Sequence, residues 1–345
     1  MLKGYTKQEI SWMMYDWANS AHSVIIVTLL PIFFDTVAGY TADSVSSMST
    51  WGYATSIAML IVALAAPFLG VFGDIRGMRK KLFSFFMLLG VAACAGMAFT
   101  PGMNFTSGPV AAGKVASLIL VLYIVSVIGF DASAIYYDAF LTDVTTEDRM
   151  DKVSTMGYGL GYIGGSTIPL LIFLIMNLVG VPMLTCLAFV FGLTAVWWLA
   201  FSLPLLKNCE QTSGKPYEKG DVARSIKGVG TTIKEIIANK PMLIYILSYF
   251  FYIDGVHTVI SMATTYGTNL GLDSTGMMLA LLLVQILGLP FCLLYIKCSE
   301  KFGARTMVGF GICVYMFICI FAFFMNSLWQ FWVLAVLCAT SQGGI

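Results

Sequence analysis

Ten stretches of this chain are apolar for the length a bilayer-spanning helix needs, about 20 residues, and only short polar breaks separate most of them. They run over 11–38, 51–73, 82–100, 115–143, 153–178, 182–205, 242–268, 275–297, 305–325 and 328–345. In hydrocarbon every backbone N–H and C=O must be satisfied within the chain, so such runs can only be helices. Composition agrees: 59% of residues are hydrophobic and 11% charged, against about half and about a quarter in a soluble domain. The mean hydropathy is +0.86. No basic face accompanies the net charge of +1, which argues against nucleic acid as a partner. The expected fold is an all-α, multi-pass membrane bundle of ten spanning helices.

Lysine and arginine orient the bundle. With the amino terminus in the cytoplasm, all of the 19 basic residues except Lys114 fall on the cytoplasmic side, as the positive-inside rule demands. The expected location is therefore the cell membrane. The longest break, 206–241, is polar and carries Gly214, Pro216 and Gly220. In its second half Ile226, Val229, Ile233, Ile236 and Ile237 share one helical stripe, which predicts an amphipathic helix on the membrane surface. Three units follow: a six-helix bundle over 1–205, a linker over 206–241 and a four-helix bundle over 242–345. Trp12, Trp51, Trp329 and Trp332 lie near run ends, where interfacial anchors are expected. The eight cysteines are scattered without zinc or redox spacing, so no metal, cofactor or structural disulfide is expected.

Polar groups inside the runs carry the functional signal, because a charge in the bilayer normally faces a cavity or a partner. The first run opens "YDWANSAHSVI", with Asp16, Asn19 and His22; the seventh contains "IDGVHTVI", with Asp254 and His257. Asp254, His257, Thr258 and Ser261 follow i, i+3, i+4, i+7 on one face, extended by Thr264 and Thr265. Asp131, Asp138 and Thr142 share a face of the fourth run. Asp16, Asn19, His22, Asp131, Asp254 and His257 are thus the candidate solute-binding or coupling residues. Capping and packing are the competing roles for Asp16, Asp138 and each imidazole. A metal site would need His22 and His257 to meet across the bundles. Gly157, Gly161 and Gly165 form a small-residue ridge that lets another helix approach closely.

Two short loops match. "GDIRGMRKK" contains Asp74, Gly77 and Arg79, and "SEKFGARTM" contains Glu300, Gly303 and Arg305, at an offset of 226 residues. The glycines suit a left-handed turn, and an acid beside cations can latch helix ends. Asp74, Arg76, Gly77, Arg79, Arg149, Glu300, Gly303 and Arg305 are the candidate cytoplasmic gate. Recurrence at equivalent places argues for duplicated six-helix halves.

These loops resemble the signature loop of the major facilitator superfamily. "YDWANSA" (15–21), "YYDAFLTDV" (136–144), "GYGLGYIGG" (157–165) and "YIDGVHTVI" (252–260) resemble the vacuole-effluxer-like, autophagy-related branch and its bacterial relatives. The resemblance implies a major-facilitator-type bundle of twelve helices, of which ten are present, so that "SQGGI" at 341–345 resembles the exit of the tenth helix of a truncated chain. A genuine ten-helix protein is the alternative. It implies a secondary transporter, not an enzyme, moving a small solute such as an amino acid by rocker-switch alternating access, with proton coupling. Ile75 departs from the superfamily loop pattern, where a cation is usual, and Asp138, His22 and His257 depart from the branch pattern.

The competing functions are a membrane-embedded enzyme, a non-transporting receptor, and a non-functional fragment of a transporter. HExxH, GxSxG and GxxxxGK[ST] are missing from the sequence. With no lysine or arginine near the middle of a run, a strongly anionic solute lacks a counter-charge. Neutral, zwitterionic or cationic solutes fit, with protons and the lipid bilayer as further partners.

Overall fold

The computed structural model describes residues 4–41, 44–214, 216 and 221–342. Among these, every regular element is helical. In chain order they are α1 (Lys7–Ala38), α2 (Ser44–Gly73), α3 (Arg79–Met97), α4 (Pro109–Val144), α5 (Met150–Leu160), α6 (Thr167–Leu178), α7 (Met183–Asn208), α8 (Asp221–Ala238), α9 (Lys240–Asn269), α10 (Ser274–Phe302), α11 (Ala304–Phe323) and α12 (Leu328–Gln342). A π-helical turn, Gly161–Ser166, joins α5 to α6 in one span. Among the described residues nine helices have the length and apolar content to cross a membrane. The tenth run becomes α12, of 15 residues; at 1.5 Å per residue it is shorter than the hydrocarbon core of about 30 Å.

Local chemistry places the ends. Thr6 caps α1: its hydroxyl accepts from the Glu9 amide (3.1 Å), while the Glu9 carboxylate accepts from the Thr6 amide (2.7 Å), a reciprocal capping box. Asn239 caps α9 through the Met242 amide. Gly77 and Gly303, the two motif glycines, adopt φ of +81° and +85°, a region that side-chain-bearing residues avoid.

One end of the bundle carries residues 74–79, 143–149 and 209–214 and is called here the loop end. The turn end carries the connections near 39, 100, 180, 271 and 325. The buried residues of one apolar cluster lie in α1, α3, α4, α5, α7 and the residue after α7, around Tyr15, Phe83, Tyr136 and Trp198. Another lies in α9–α12, around Met277, Tyr315 and Phe331. A third joins the halves: Met278 and Leu282 of α10 pack with Phe34, Trp51, Leu170 and Phe173. The halves therefore meet at the turn end. Trp12 and Trp51 are buried in these clusters, whereas Trp329 is exposed. Their rings fill helix junctions, so the expectation of four interfacial anchors is corrected for those two.

Helix α8 falls inside the expected linker, with Ile233 and Ile237 exposed along its apolar stripe.

Candidate functional site

The YDWANSA segment of α1 is knotted into α4, α5 and α7. The Trp12 indole stacks on Tyr137 at 4.3 Å between centroids and donates to the Tyr137 carbonyl at 2.9 Å. The Tyr137 hydroxyl donates to Asp16 Oδ2 at 2.8 Å. Ser133 donates to the Phe130 carbonyl (2.8 Å), so its Oγ is left to accept from the Tyr15 hydroxyl (2.8 Å). Asn19, buried, faces that same hydroxyl.

The glycine ridge is what admits α1. A Cβ at Gly157 would fall on the Asp16 carboxylate, one at Gly161 on the Ser20 hydroxyl, and one at Gly164 on the Trp17 ring. The π turn lies at this contact, and Thr167 donates to the Tyr162 carbonyl at 2.7 Å, satisfying a carbonyl at the widened turn.

His22 is buried between Phe130 and Trp198, with ring centroids 4.9 and 5.0 Å away, and neither ring nitrogen has a hydrogen-bond partner among the described residues. His257 is exposed on α9, as is Asp254 one turn before it. The two imidazoles thus occupy different surroundings, one inside the first half and one on the surface of the second. Asp131 is half-buried on α4 and Asp138 is exposed. Of the six candidate residues, the structure brings together Asp16 and Asn19 on α1, and Asp254 and His257 on α9.

Towards the turn end from His257 the helices enclose a cavity of about 420 Å³. Ser23 and Thr28 border it from α1, Thr258 and Met262 from α9, Gln285 from α10, Cys319 from α11 and Cys338 from α12; most of the remaining wall is apolar, and among the described residues no Asp, Glu, His, Lys or Arg lines it. The Tyr266 hydroxyl, also at the wall, donates to the Ala322 carbonyl at 3.1 Å. Sequence reasoning missed Gln285 because a single amide in an apolar run carries no spacing signal; it selected Asp and His, which lie outside this wall.

At the loop end Arg79 is buried and ion-paired to Asp143, and it also donates to the Ala139 carbonyl at 2.9 Å. Asp143 Oδ1 accepts from the amide and hydroxyl of both Thr212 and Ser213, at 2.7–3.1 Å. Gln211 accepts from the Gly77 amide (2.8 Å) and donates to the Gly73 carbonyl (3.0 Å). Residues 209–214 are therefore a strap over the motif loop. Asp74 is mostly exposed, with its carboxylate 3.9 Å from Arg79. Arg149 pairs instead with Glu9, at 2.8 Å. Arg76 and Arg305 are exposed. The Glu300 side chain lies outside the described residues. All ion pairs among the described residues at this end stay within the first half. Asp143 was legible only as the second acid of "YYDAFLTDV", and its partners come from a loop whose path sequence cannot trace.

Residues 37–150 and 142–345 match the family model described as "Vacuole effluxer Atg22 like". The uncharacterized MFS-type transporter YxiO of Bacillus subtilis is 41% identical over 353 residues, covering 100% of this chain and 80% of that protein. Autophagy-related protein 22-1 of Penicillium rubens is 24% identical over 177 residues, covering 48% of this chain and 30% of that one. Among solved structures, a bacterial homologue of the human lysosomal transporter Spinster, inward-facing and unoccupied, gives a TM-score of 0.61 at 15% identity over 98% of this chain and 73% of that chain. A D-xylose–proton symporter gives 0.54 at 16%, over 98% and 79%.

Proposed function

The chain belongs to the vacuole effluxer Atg22-like family of major facilitator transporters, and on that premise we propose that the cavity walled by α1 and α9–α12 is its solute site, served by rocker-switch alternating access. The chain is a multi-pass integral membrane protein and a secondary transporter rather than an enzyme. The observation that carries the site reading is that the cavity is walled by helices of both halves. Relative motion of the halves would then change its access.

In this reading the loop end is cytoplasmic, in the cell membrane, since it gathers the basic residues. The packing of Met278 and Leu282 against Phe34, Trp51 and Phe173 closes the outer end. The exposed Asp254–His257 face of α9, with Asp131 on α4, supplies groups for proton coupling. The solute is small and carries no net negative charge. Asp74 and Arg76 engage the second half, near Arg305, when the loop end closes.

The test uses a contact of α2 with α9. A side chain begun at Gly52 would stand 3.8 Å from Met262 Cε. Gly52→Cys with Met262→Cys, joined by a short bis-methanethiosulfonate cross-linker, pins the turn end shut. Transport in proteoliposomes should stop on cross-linking and return with reductant, while each single-cysteine variant keeps its flux. Undiminished flux through the cross-linked protein would refute rocker-switch access at that end.

A further inference from the structure

We propose that the cavity selects a neutral, mainly apolar solute bearing one amide-like donor–acceptor pair, and that Gln285 is the residue that recognises it. This rests on reading the chain as a transporter whose solute occupies that cavity.

Gln285 sits on α10 at 8% exposure and lines the cavity. It makes no hydrogen bond with any described residue. An amide in a cavity wall with no protein partner leaves its carbonyl and its two N–H groups to water or to a solute. Such a group in a cavity wall is satisfied by what enters the cavity. An amide side chain offers one acceptor and one donor in a plane, so its best complement is a group that donates and accepts side by side: another amide, or a lactam edge.

The rest of the wall sets the remaining chemistry. Thr28 and Thr258 add hydroxyls, and Val24, Leu281 and Phe331 contribute apolar surface. The lining holds no Asp, Glu, Lys, Arg or His. An ammonium or carboxylate entering this wall would lose hydration without a counter-charge, which weakens binding by orders of magnitude. A zwitterion would carry two such charges. The volume, about 420 Å³, lies within the range of sites that take small organic ligands.

Cys319 provides a native reporter, since it lines the cavity and is a free, exposed thiol, while Cys313 on the same helix is free, exposed and away from the lining. The full chain in lipid nanodiscs is alkylated with N-ethylmaleimide, and modification of the two thiols is followed by mass spectrometry. Three probes share one side chain: N-acetyl-leucinamide (neutral), leucine (zwitterion) and leucinamide (cation). N-acetyl-leucinamide should protect Cys319 and not Cys313, and the other two should need at least about tenfold higher concentration. Gln285→Leu should raise the protecting concentration of N-acetyl-leucinamide about tenfold. Gln285→Glu should move the preference to leucinamide, a reversal that general loosening of the fold would not produce. Protection by leucine or leucinamide at equal or lower concentration overturns the neutral class but leaves the cavity as the solute site. Protection unchanged by Gln285→Leu overturns the role of Gln285. Absence of protection by all three probes overturns both this inference and the site reading beneath it.

Discussion

Asp143→Asn removes one charge from the α4 residue that anchors the strap and leaves its shape. The native carboxylate divides its work: Oδ2 faces the Arg79 guanidinium, and Oδ1 accepts four donors from Thr212 and Ser213. An asparagine oxygen can keep the second set, but its NH₂ would then point at another donor. The Arg79 side chain is 6% exposed, and would keep the Ala139 carbonyl at 2.9 Å and the Ser213 hydroxyl at 3.3 Å. Stripping one partner from a buried pair costs about 3–5 kcal/mol. The remaining acceptors favour the lower end, and about 3 kcal/mol is a factor of about 150 in the strap's opening equilibrium. Cys209 reads that opening directly: it is fully buried in the strap, its thiol donates to the Gln8 carbonyl, and Lys80 donates to its own carbonyl at 3.0 Å. Maleimide labelling of Cys209, measured with opening faster than alkylation, should accelerate by about two orders of magnitude. Asp74→Asn is the internal contrast. Its side chain is 80% exposed and 3.9 Å from Arg79, a geometry contributing about 0–1 kcal/mol, so Cys209 labelling should rise less than about fivefold. Equal acceleration by the two variants, with helix content and monodisperse elution preserved, would refute the assignment of the buried pair to Asp143.

Three further outcomes follow from the same geometry. Gly164→Ala drives a methyl onto the Trp17 ring and should cost about 1–3 kcal/mol, read as a lower midpoint in fluorescence-detected thermal unfolding, whereas Gly255→Ala, with open space around it, should leave the midpoint unchanged or raise it. Asp254→Asn should abolish pH-driven accumulation while retaining exchange; accumulation equal to the parent at every pH would exclude Asp254 as the coupling group. His257→Ala should shift the pH dependence of transport, and an unshifted profile would return the α9 stripe to packing.

Period and length made the helices legible. Nine of the ten apolar runs became helices of spanning length, and the linker helix stands where its stripe placed it. Run boundaries shifted where polar residues belong to a helix: α1 begins four residues before the apolar run because Thr6 and Glu9 form its cap. Positive φ at Gly77 and Gly303 followed from their place in a tight turn. The side-chain partners were less accessible. Arg149 stands beside acids in sequence, yet the cap of α1 brings Glu9 to it from 140 residues away. His22 lies at the edge of the polar arc of α1, where a small rotation decides between cavity and core; Trp198, from α7, places it in the core.

The echo between α1 and α9 has unequal consequences. In the most apolar window of α1, 78% of residues are buried, against 6% in that of α9. Helix α1 is enclosed by α4, α5–α6 and α7, so Asp16, Tyr15 and Trp12 face partners already in place and hold helices together. A carboxylate held by a tyrosine hydroxyl against a glycine helix has little room to rearrange. On α9 the same residue types are exposed, and Asp254 and His257 stand one turn apart. A group that must bind a proton in one state and release it in another needs surroundings that change between the states. The packed half fixes its polar groups; the exposed half leaves room to alter theirs. Close packing has turned the polar face of α1 into structure, which makes its echo on α9 the place to test for coupling.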